Sequence, residues 1–289
     1  MKFTLWIASH GGEHWRCLEE VATGIGYSLS KLGHAVEYSF GRAPDFTSGG
    51  RFIIFNAHVL LPVLATGLPL PPDAIIYNAE QVPDGPIPTN QMWWFPYLAL
   101  LRNRQVWDYS ETNIERFRRR GVNNVKHCRV GWYPNSGSCV EATFNDVSVL
   151  FVGSLNPRRA ELIDRLHGLG IDVKHLFGLY GYQRDHWIAR SKIVLNVHFY
   201  DKPIFEIFRV SHLLASKKCV VSEGGGCDSE LEAFAANATK LVSYDEIPEA
   251  CVRLLEVDEE RKFWARTGYE RFRQIDQVAE VERALREQS

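Results

Sequence analysis

An apolar run that breaks into a helix and returns as a second apolar run is the pattern that leaves this chain the fewest choices of fold. It occupies Ser191 to Asp228, SKIVLNVHFYDKPIFEIFRVSHLLASKKCVVSEGGGCD. Ile193 to His198 is β-branched and apolar without alternation, as a strand buried on both faces requires. Pro203 ends it. From Ile204 to Ala215 the apolar residues Phe205, Phe208, Val210, Leu213 and Leu214 recur at helical spacing, and Cys219 to Ser222 is a second buried strand ending in Glu223-Gly224-Gly225-Gly226. Glu206, Arg209 and His212 stand three apart on one helix face. The stretch reads as a β-α-β unit with ionisable residues at the carboxyl ends of its strands, where open parallel sheets place ligands.

The same alternation runs along the chain. Residues 3–8 predict a strand, 15–32 a helix closed by Gly33, and 35–40 a strand. Residues 51–57 and 73–78 are short apolar strands, 82–96 a Pro/Gly-rich loop, 106–109 a strand, 111–120 a helix and 127–130 a strand. Residues 131–145 are polar and aperiodic and predict a linker. The pattern then restarts with a strand at 147–152, a glycine turn, a helix at 160–169, a strand at 173–177 and a helix at 184–190. After Asp228 come a helix at 230–236, a strand at 240–243 and two charged helices. The expected class is α/β, with two tandem Rossmann-like domains, 1–135 and 145–265, facing a cleft that is the natural ligand site.

With 289 residues, 45% hydrophobic and 24% charged, the chain has the content of an ordinary globular protein. A net charge of -2 and the absence of a basic tail give no reason to expect nucleic acid. The six cysteines, Cys17, Cys128, Cys139, Cys219, Cys227 and Cys251, form no C-x-x-C pair, so neither a metal centre nor disulfides are expected. KFTLWIAS is too short for a signal peptide, and no apolar run approaches the roughly 20 residues of a membrane span. The expectation is a cytoplasmic protein without stable membrane insertion.

Two turns suit an anion or a sugar. Gly11-Gly12, between the first strand and first helix, lets the backbone approach a phosphate or sugar closely, or is simply a tight turn. Gly153-Ser154, followed by Arg158-Arg159, repeats the arrangement in the second half. The arginine run Arg116, Arg118, Arg119 and Arg120 reads as a solvated helix face sooner than as a grip on an anionic acceptor.

Four stretches carry a resemblance: Asn78-Ala79-Glu80-Gln81; Val106 to Ser110 with Asn113; Phe151-Val152-Gly153-Ser154 with Arg158-Arg159; and Ile204 through Glu223. On them the chain resembles glycosyltransferases of the GT-B fold, most of all the bacterial members labelled glycosyltransferase family 1, near the CgeB-like group. The resemblance implies a sugar transferred from a nucleoside-diphosphate sugar, the donor substrate, to a glycan, small-molecule or peptide acceptor, with no cofactor. It also implies donor binding in the second domain, acceptor binding in the first, and residues 266–289 as a helix crossing back. In that family no metal neutralises the diphosphate, so cationic side chains and helix amides must. Arg158 and Arg159 are the first candidates, Lys202 and Arg209 the second, with Gly11, Gly12, Gly153, Ser154, Gly178, Tyr180, Glu206, His212 and Glu223 completing the donor set. Tyr180 and Phe177 either stack on the base or belong to the core.

Retaining relatives carry two glutamates eight residues apart. Here His212 stands at the second position and Ile204 at the first, so the pair is absent, with Glu206 and Arg209 near enough to replace it. Alternatively, Glu206 and Arg209 form a structural ion pair and Arg158-Arg159 a surface helix start. His10 or His14, beside Gly11 and Gly12, is either a general base, a hydrogen-bonding group for the donor sugar or a surface histidine, and Glu80 is a further base candidate. The alternative function is a non-catalytic nucleotide-sugar or carbohydrate binding protein on the same scaffold. An epimerase is a third.

Overall fold

The computed structural model describes residues 1–67, 70–137, 145–199 and 203–286. The chain divides into two units, Met1–Tyr133 joined by the segment from Asp276 onward, and Pro134–Ile275.

The first unit contains β1 (Lys2–Ile7), α1 (Glu19–Lys31), β2 (Ala35–Phe40), β3 (Arg51–Phe55), α2 (Leu61–Leu64), β4 (Ile75–Asn78), α3 (Trp94–Leu101), β5 (Gln105–Asp108), α4 (Glu111–Arg119) and β6 (Val125–His127). The second contains β7 (Val147–Val152), α5 (Pro157–Gly168), β8 (Val173–Leu176), α6 (Tyr182–Arg190), β9 (Ser191–Asn196), α7 (Ile207–Ala215), β10 (Cys219–Glu223), α8 (Ser229–Ala238), β11 (Lys240–Val242), α9 (Ile247–Glu256) and α10 (Asp258–Phe272). The last helix, α11 (Gln277–Arg286), belongs to the first unit.

The first sheet runs β2-β1-β3-β4-β5-β6 and the second β11-β10-β9-β7-β8, every pairing parallel. Each order reverses at one place, between β1 and β3 and between β7 and β9, and the strand ends at such a reversal open a crevice for ligands. Helices cover the sheets, so the strands are continuous apolar runs. In the first unit Trp6, Phe52, Ile54, Ile76 and Val106 pack with Trp94, Leu98 and Phe117 from α3 and α4. In the second, Val149, Phe151, Ile193, Leu195 and Val221 pack with Leu162, Leu166 and Leu254 from α5 and α9.

Several boundaries differ from the sequence expectation. The loop expected at 82–96 ends inside α3, where Trp94, Tyr97, Leu98 and Leu101 are buried on one side. Tertiary burial makes a helix of WFPYLALL, which is too uniformly apolar to show a helical period. The strand expected at 127–130 is β6, two residues earlier. The helix expected from Ile204 begins at Ile207. The first helix is preceded by a tight helical turn, His14–Leu18, so α1 opens at Glu19 with Glu19 and Glu20 in its first turn. Its positive end is therefore met by its own carboxylates rather than offered to an anion at Gly11-Gly12.

The arginine run is divided: Arg118 and Arg119 are exposed, as a solvated face requires, whereas Arg116 and Arg120 are engaged by the neighbouring loop. Arg116 is buried and donates to the Val82 carbonyl at 2.8 Å, while Arg120 donates to the carbonyls of Pro83 at 2.7 Å and Gly85 at 2.6 Å. They brace the loop that follows Glu80. Helix α10 packs on α7 and α8, whereas α11 packs on α1. Its Gln277 accepts from the Gly131 N–H at 2.7 Å and donates to the Arg129 carbonyl at 3.0 Å. The chain returns to the first unit at Asp276, so residues 266–275 stay with the second. Among the described residues, no helix is long and apolar enough to cross a membrane.

Candidate functional site

In the second unit, polar side chains converge at the carboxyl ends of β7, β9 and β10, beside the sheet reversal. The turn after β7 holds Gly153 at φ +150°, and α5 opens with Asn156 as cap, its Oδ1 accepting from the Arg159 N–H at 2.9 Å, and Pro157 in the first turn. Opening the helix there places two arginines differently. Arg158 forks onto the buried carboxylate of Glu223, Nη1 to Oε2 at 2.8 Å and Nη2 to Oε1, a bidentate pair. Its guanidinium lies 3.8 Å from the centre of the Tyr244 ring, and the Tyr244 hydroxyl donates to the Arg158 carbonyl at 2.6 Å. Arg159 is buried, and among the described residues its guanidinium donates to the carbonyls of Ser154 at 2.9 Å and Val197.

Arg209, from the first turn of α7, reaches the same turn. A β-carbon on Gly153 would lie 3.4 Å from Nη2 of Arg209 and 3.7 Å from Nη1 of Arg159. Burial, with the charge of Arg209 added, lowers the Arg159 guanidinium to about 10, which leaves it charged at neutral pH. The Gly153 carbonyl accepts from His175 Nε2 at 2.7 Å.

Asn196 is the hub behind this turn. Its Nδ2 donates to Glu206 Oε2 at 3.1 Å and to Ser222 Oγ at 3.0 Å, and its Oδ1 accepts from Arg209 Nη1 at 3.2 Å. Glu206 and Arg209 thus meet through an amide rather than as a simple ion pair. His198 Nδ1 donates to Glu206 Oε2 at 2.9 Å, and the His198 N–H donates to Glu223 Oε2 at 3.0 Å. Burial pushes the Glu206 carboxyl up, but the bonds and charges of His198, Arg209 and Asn196 outweigh it and hold Glu206 below the usual carboxylate range.

Arg158, Arg159, Arg209, Glu206, Glu223, Gly153 and Ser154 are therefore in one cluster. His212 lies apart from it, buried with both ring nitrogens engaged, Nε2 by Asp185 Oδ1 at 2.9 Å and Nδ1 by the Ser136 carbonyl at 3.2 Å. No ring nitrogen is left for a ribose, so His212 clamps α7 to α6 and residue 136. Gly178, at φ +72°, and half-buried Tyr180 form the loop after β8, and Phe177 beside them is 60% exposed and not core. Lys202 lies outside the described residues. Asn196, His198, Ser222 and Tyr244 were not foreseen as site residues. Asparagine and histidine closing an apolar strand were the available signal.

In the first unit a second group gathers at the carboxyl ends of β1, β3 and β4. Ser9 Oγ accepts from the Gly11 N–H at 3.2 Å, and Gly11 and Gly12, at φ +122° and +67°, have nothing near a would-be β-carbon. They serve backbone direction there. His10 and His14 are exposed. Glu80 lies with Oε1 3.7 Å from His58 Nδ1, and burial raises its carboxyl to about 6. Burial, with His10 adding a smaller effect, lowers His58 to about 4, so the imidazole is neutral at pH 7. His58 packs 4.8 Å from Trp93, centre to centre, and edge-on to Tyr97 at 6.0 Å.

The Glu80 loop is fixed by a buried network. Asn78 Nδ2 donates to Asp108 Oδ2 at 2.7 Å and to the Glu80 carbonyl at 2.8 Å. Asn113 Nδ2 donates to the same carbonyl at 2.9 Å, and its Oδ1 accepts from the Val82 N–H at 2.8 Å. The two motif stretches of the first unit are thus the frame of one loop.

No family model matches the chain. Two curated relatives, the uncharacterized proteins L138 and L140 of Acanthamoeba polyphaga mimivirus, are 30% identical over 115 residues and 29% identical over 109. Those matches cover 39% and 37% of this chain, and 13% and 36% of the relatives' own lengths. Among solved structures it is similar to WaaG, a glycosyltransferase involved in lipopolysaccharide biosynthesis, with a TM-score of 0.61 at 12% identity, covering 98% of each chain. It is similar to HepE of Anabaena in complex with UDP, with a TM-score of 0.60 at 13% identity, covering 99% of this chain and 98% of that one. It is also similar to the UDP-GlcNAc 2-epimerase of Neisseria meningitidis, with a TM-score of 0.51 at 10% identity, covering 99% and 100%. Likeness across whole chains at such low identity speaks for architecture: the chain has the GT-B fold, two Rossmann-like units in tandem.

Proposed function

We propose that this protein is a metal-independent, hexosyltransferase-like glycosyltransferase, moving a sugar from a nucleoside-diphosphate sugar to a hydroxyl of an acceptor. The observation that carries the reading is the pair of guanidinium groups, Arg159 and Arg209, that both approach the open side of Gly153. Arg158 is matched by Glu223, whereas Arg159 donates to carbonyls and Arg209 to an amide oxygen. Two cations set at a glycine turn, at a sheet reversal and a helix start, suit a pyrophosphate, and they stabilise the charge that develops on it as the sugar leaves. The UDP bound to HepE, a relative by fold, makes uridine nucleotides the first to test.

In this reading the second unit takes the donor, with Gly178 and Tyr180 beside it, and the first unit takes the acceptor near His10, His14 and Glu80. Glu80 is a base candidate among them because burial brings its carboxyl to about 6, close to neutrality. The protein works where nucleotide sugars are made, in the cytoplasm, and the resemblance of the four stretches to the CgeB-like group supports the same donor chemistry.

Calorimetric titration with UDP, GDP and ADP tests the reading. One of them binds the wild-type chain, and Arg209→Ala weakens it at least tenfold; binding of none of them refutes it. The alternative, a protein that binds the donor without turning it over, is favoured by the engagement of His212 where retaining relatives carry glutamate. Release of free nucleotide from the sugar conjugate, abolished in Arg209→Ala, excludes it. Movement of labelled sugar to a second molecule separates transfer from epimerisation.

A further inference from the structure

His198 lies two residues beyond β9 in the second unit and is 2% exposed, yet its Nε2 has no hydrogen-bond partner among the described residues. Around it are Glu206, which takes Nδ1, Glu223, which takes the backbone N–H, and Arg158, whose Nη1 stands 3.5 Å from the His198 carbonyl. Buried polar atoms are ordinarily paired, and one left open among the residues of a binding cluster marks a place for a ligand atom.

The chemistry of that atom follows from its neighbour. An ionised carboxylate only accepts, so Nδ1 carries a proton, and in the Nδ1–H tautomer Nε2 presents a lone pair. Asn196 fixes the carboxylate from the other side, and the ring orientation is set with it. A lone pair held this way receives a hydroxyl hydrogen, which a phosphate cannot supply. The histidine at the position where retaining relatives keep a ribose-binding glutamate, His212, has both nitrogens engaged. The role of accepting from a sugar hydroxyl is therefore open in this unit.

We propose that His198, oriented by Glu206, accepts a hydrogen bond from a hydroxyl of the nucleotide-sugar donor through Nε2 and sets specificity for that hydroxyl. This rests on the donor reading of the second unit. The hydroxyl belongs either to the ribose or to the transferred sugar, and the two sources are separable.

The test is calorimetric titration of UDP, GDP and ADP, their 2′-deoxy, 3′-deoxy and 2′-fluoro-2′-deoxy counterparts, and UDP-glucose, against wild type, His198→Asn and His198→Gln. Asparagine keeps a donor near Nδ1 for Glu206 and deletes Nε2, while the longer glutamine amide reaches toward the Nε2 position. For a ribose hydroxyl, wild type prefers the hydroxyl form over the deoxy form by about tenfold, the range for an unpaired buried group. The 2′-fluoro form binds as weakly as the deoxy form, because fluorine cannot donate. His198→Asn brings the preference within about twofold, and His198→Gln restores part of it. For a hexose hydroxyl, the deoxy forms bind like their parents, and His198→Asn weakens UDP-glucose by about tenfold while leaving UDP unchanged.

An unchanged preference in His198→Asn overturns the proposal, as does equal weakening of every nucleotide, which marks a phosphate contact. Should His198→Asn lose its cooperative thermal unfolding, the deoxy and fluoro series on the wild-type chain decides, with UDP-glucose against UDP in His198→Gln for the hexose case. Binding of a nucleoside diphosphate without these differences refutes the role of His198 and leaves the donor reading standing. Binding of no nucleotide at all refutes both.

Discussion

Gly153 turns its open side toward Arg209: a β-carbon there would sit 3.4 Å from Nη2 of that arginine, on a backbone at φ +150° that side chains seldom adopt. The glycine therefore does two things. It lets the strand end turn sharply into α5, and its missing side chain leaves room beside the guanidinium groups of Arg209 and Arg159. Gly153→Ala strains the turn by about 1–3 kcal/mol and narrows that space. The expected result is a lower melting temperature and nucleoside-diphosphate binding at least tenfold weaker, read by thermal unfolding and calorimetry. Wild-type affinity in a folded variant contradicts this placement of the phosphates.

The Glu80–His58 pair titrates in opposite senses. Glu80, raised to about 6, holds its proton longer folded than unfolded, so its contribution to stability is present at low pH and is lost as pH rises from about 4.5 to 6. The full shift corresponds to about 2 kcal/mol, reduced to about 1 by the solvent reaching a side chain that is 35% exposed. Glu80→Gln is accordingly more stable than wild type by about 1 kcal/mol at pH 7 and equal to it near pH 4. Denaturant unfolding at the two pH values checks this.

His58, lowered to about 4, behaves conversely. Its neutral form is favoured in the fold, so stability is full above about 6.5 and falls as pH drops toward 4, by about 3 kcal/mol over that window. His58→Phe keeps the stack on Trp93 and removes the titration. Relative to wild type it gains about 3 kcal/mol between pH 7 and pH 4, in the same unfolding series.

The network under Glu80 predicts a loss that is both structural and functional. Asn113→Ala takes the acceptor from the buried Val82 N–H and one donor from Asp108, at a cost of about 2–3 kcal/mol. It also releases the Glu80 carbonyl. Turnover in this variant falls more than donor affinity, because the second unit is untouched.

The attachment of α11 rests on Glu280, buried at 5% exposure, which accepts from Arg129 Nη2 at 2.6 Å and Nε at 3.1 Å and from Arg283. Glu280→Ala removes a carboxylate shared by Arg129 and Arg283 and costs about 2–3 kcal/mol, the half-exposed arginines moderating the loss of a buried pair. Limited proteolysis then cuts near residue 275 sooner than in wild type.

How far the sequence reached is visible in single residues. Arg158, Arg159, Arg209, Glu206 and Glu223 were legible as site candidates because glycine turns and strand ends are local signals. Their division of labour was not, since only the fold brings Glu223 from β10 to Arg158 on α5, 65 residues apart. His58 and Tyr244 gave no local sign of a role. Their parts are defined by neighbours distant in the chain, Glu80 for one and Arg158 for the other.

By itself the sequence determined two parallel α/β units, because an unbroken apolar strand must be covered on both faces and the chain between such strands repeats at helical period. Sheet order, the return of α11 and the pairing of charges were decided by tertiary structure. Those depend on which strand ends and side chains come together across dozens of residues, and burial, acting only once they meet, fixes which polar atoms are satisfied and which are left for a ligand.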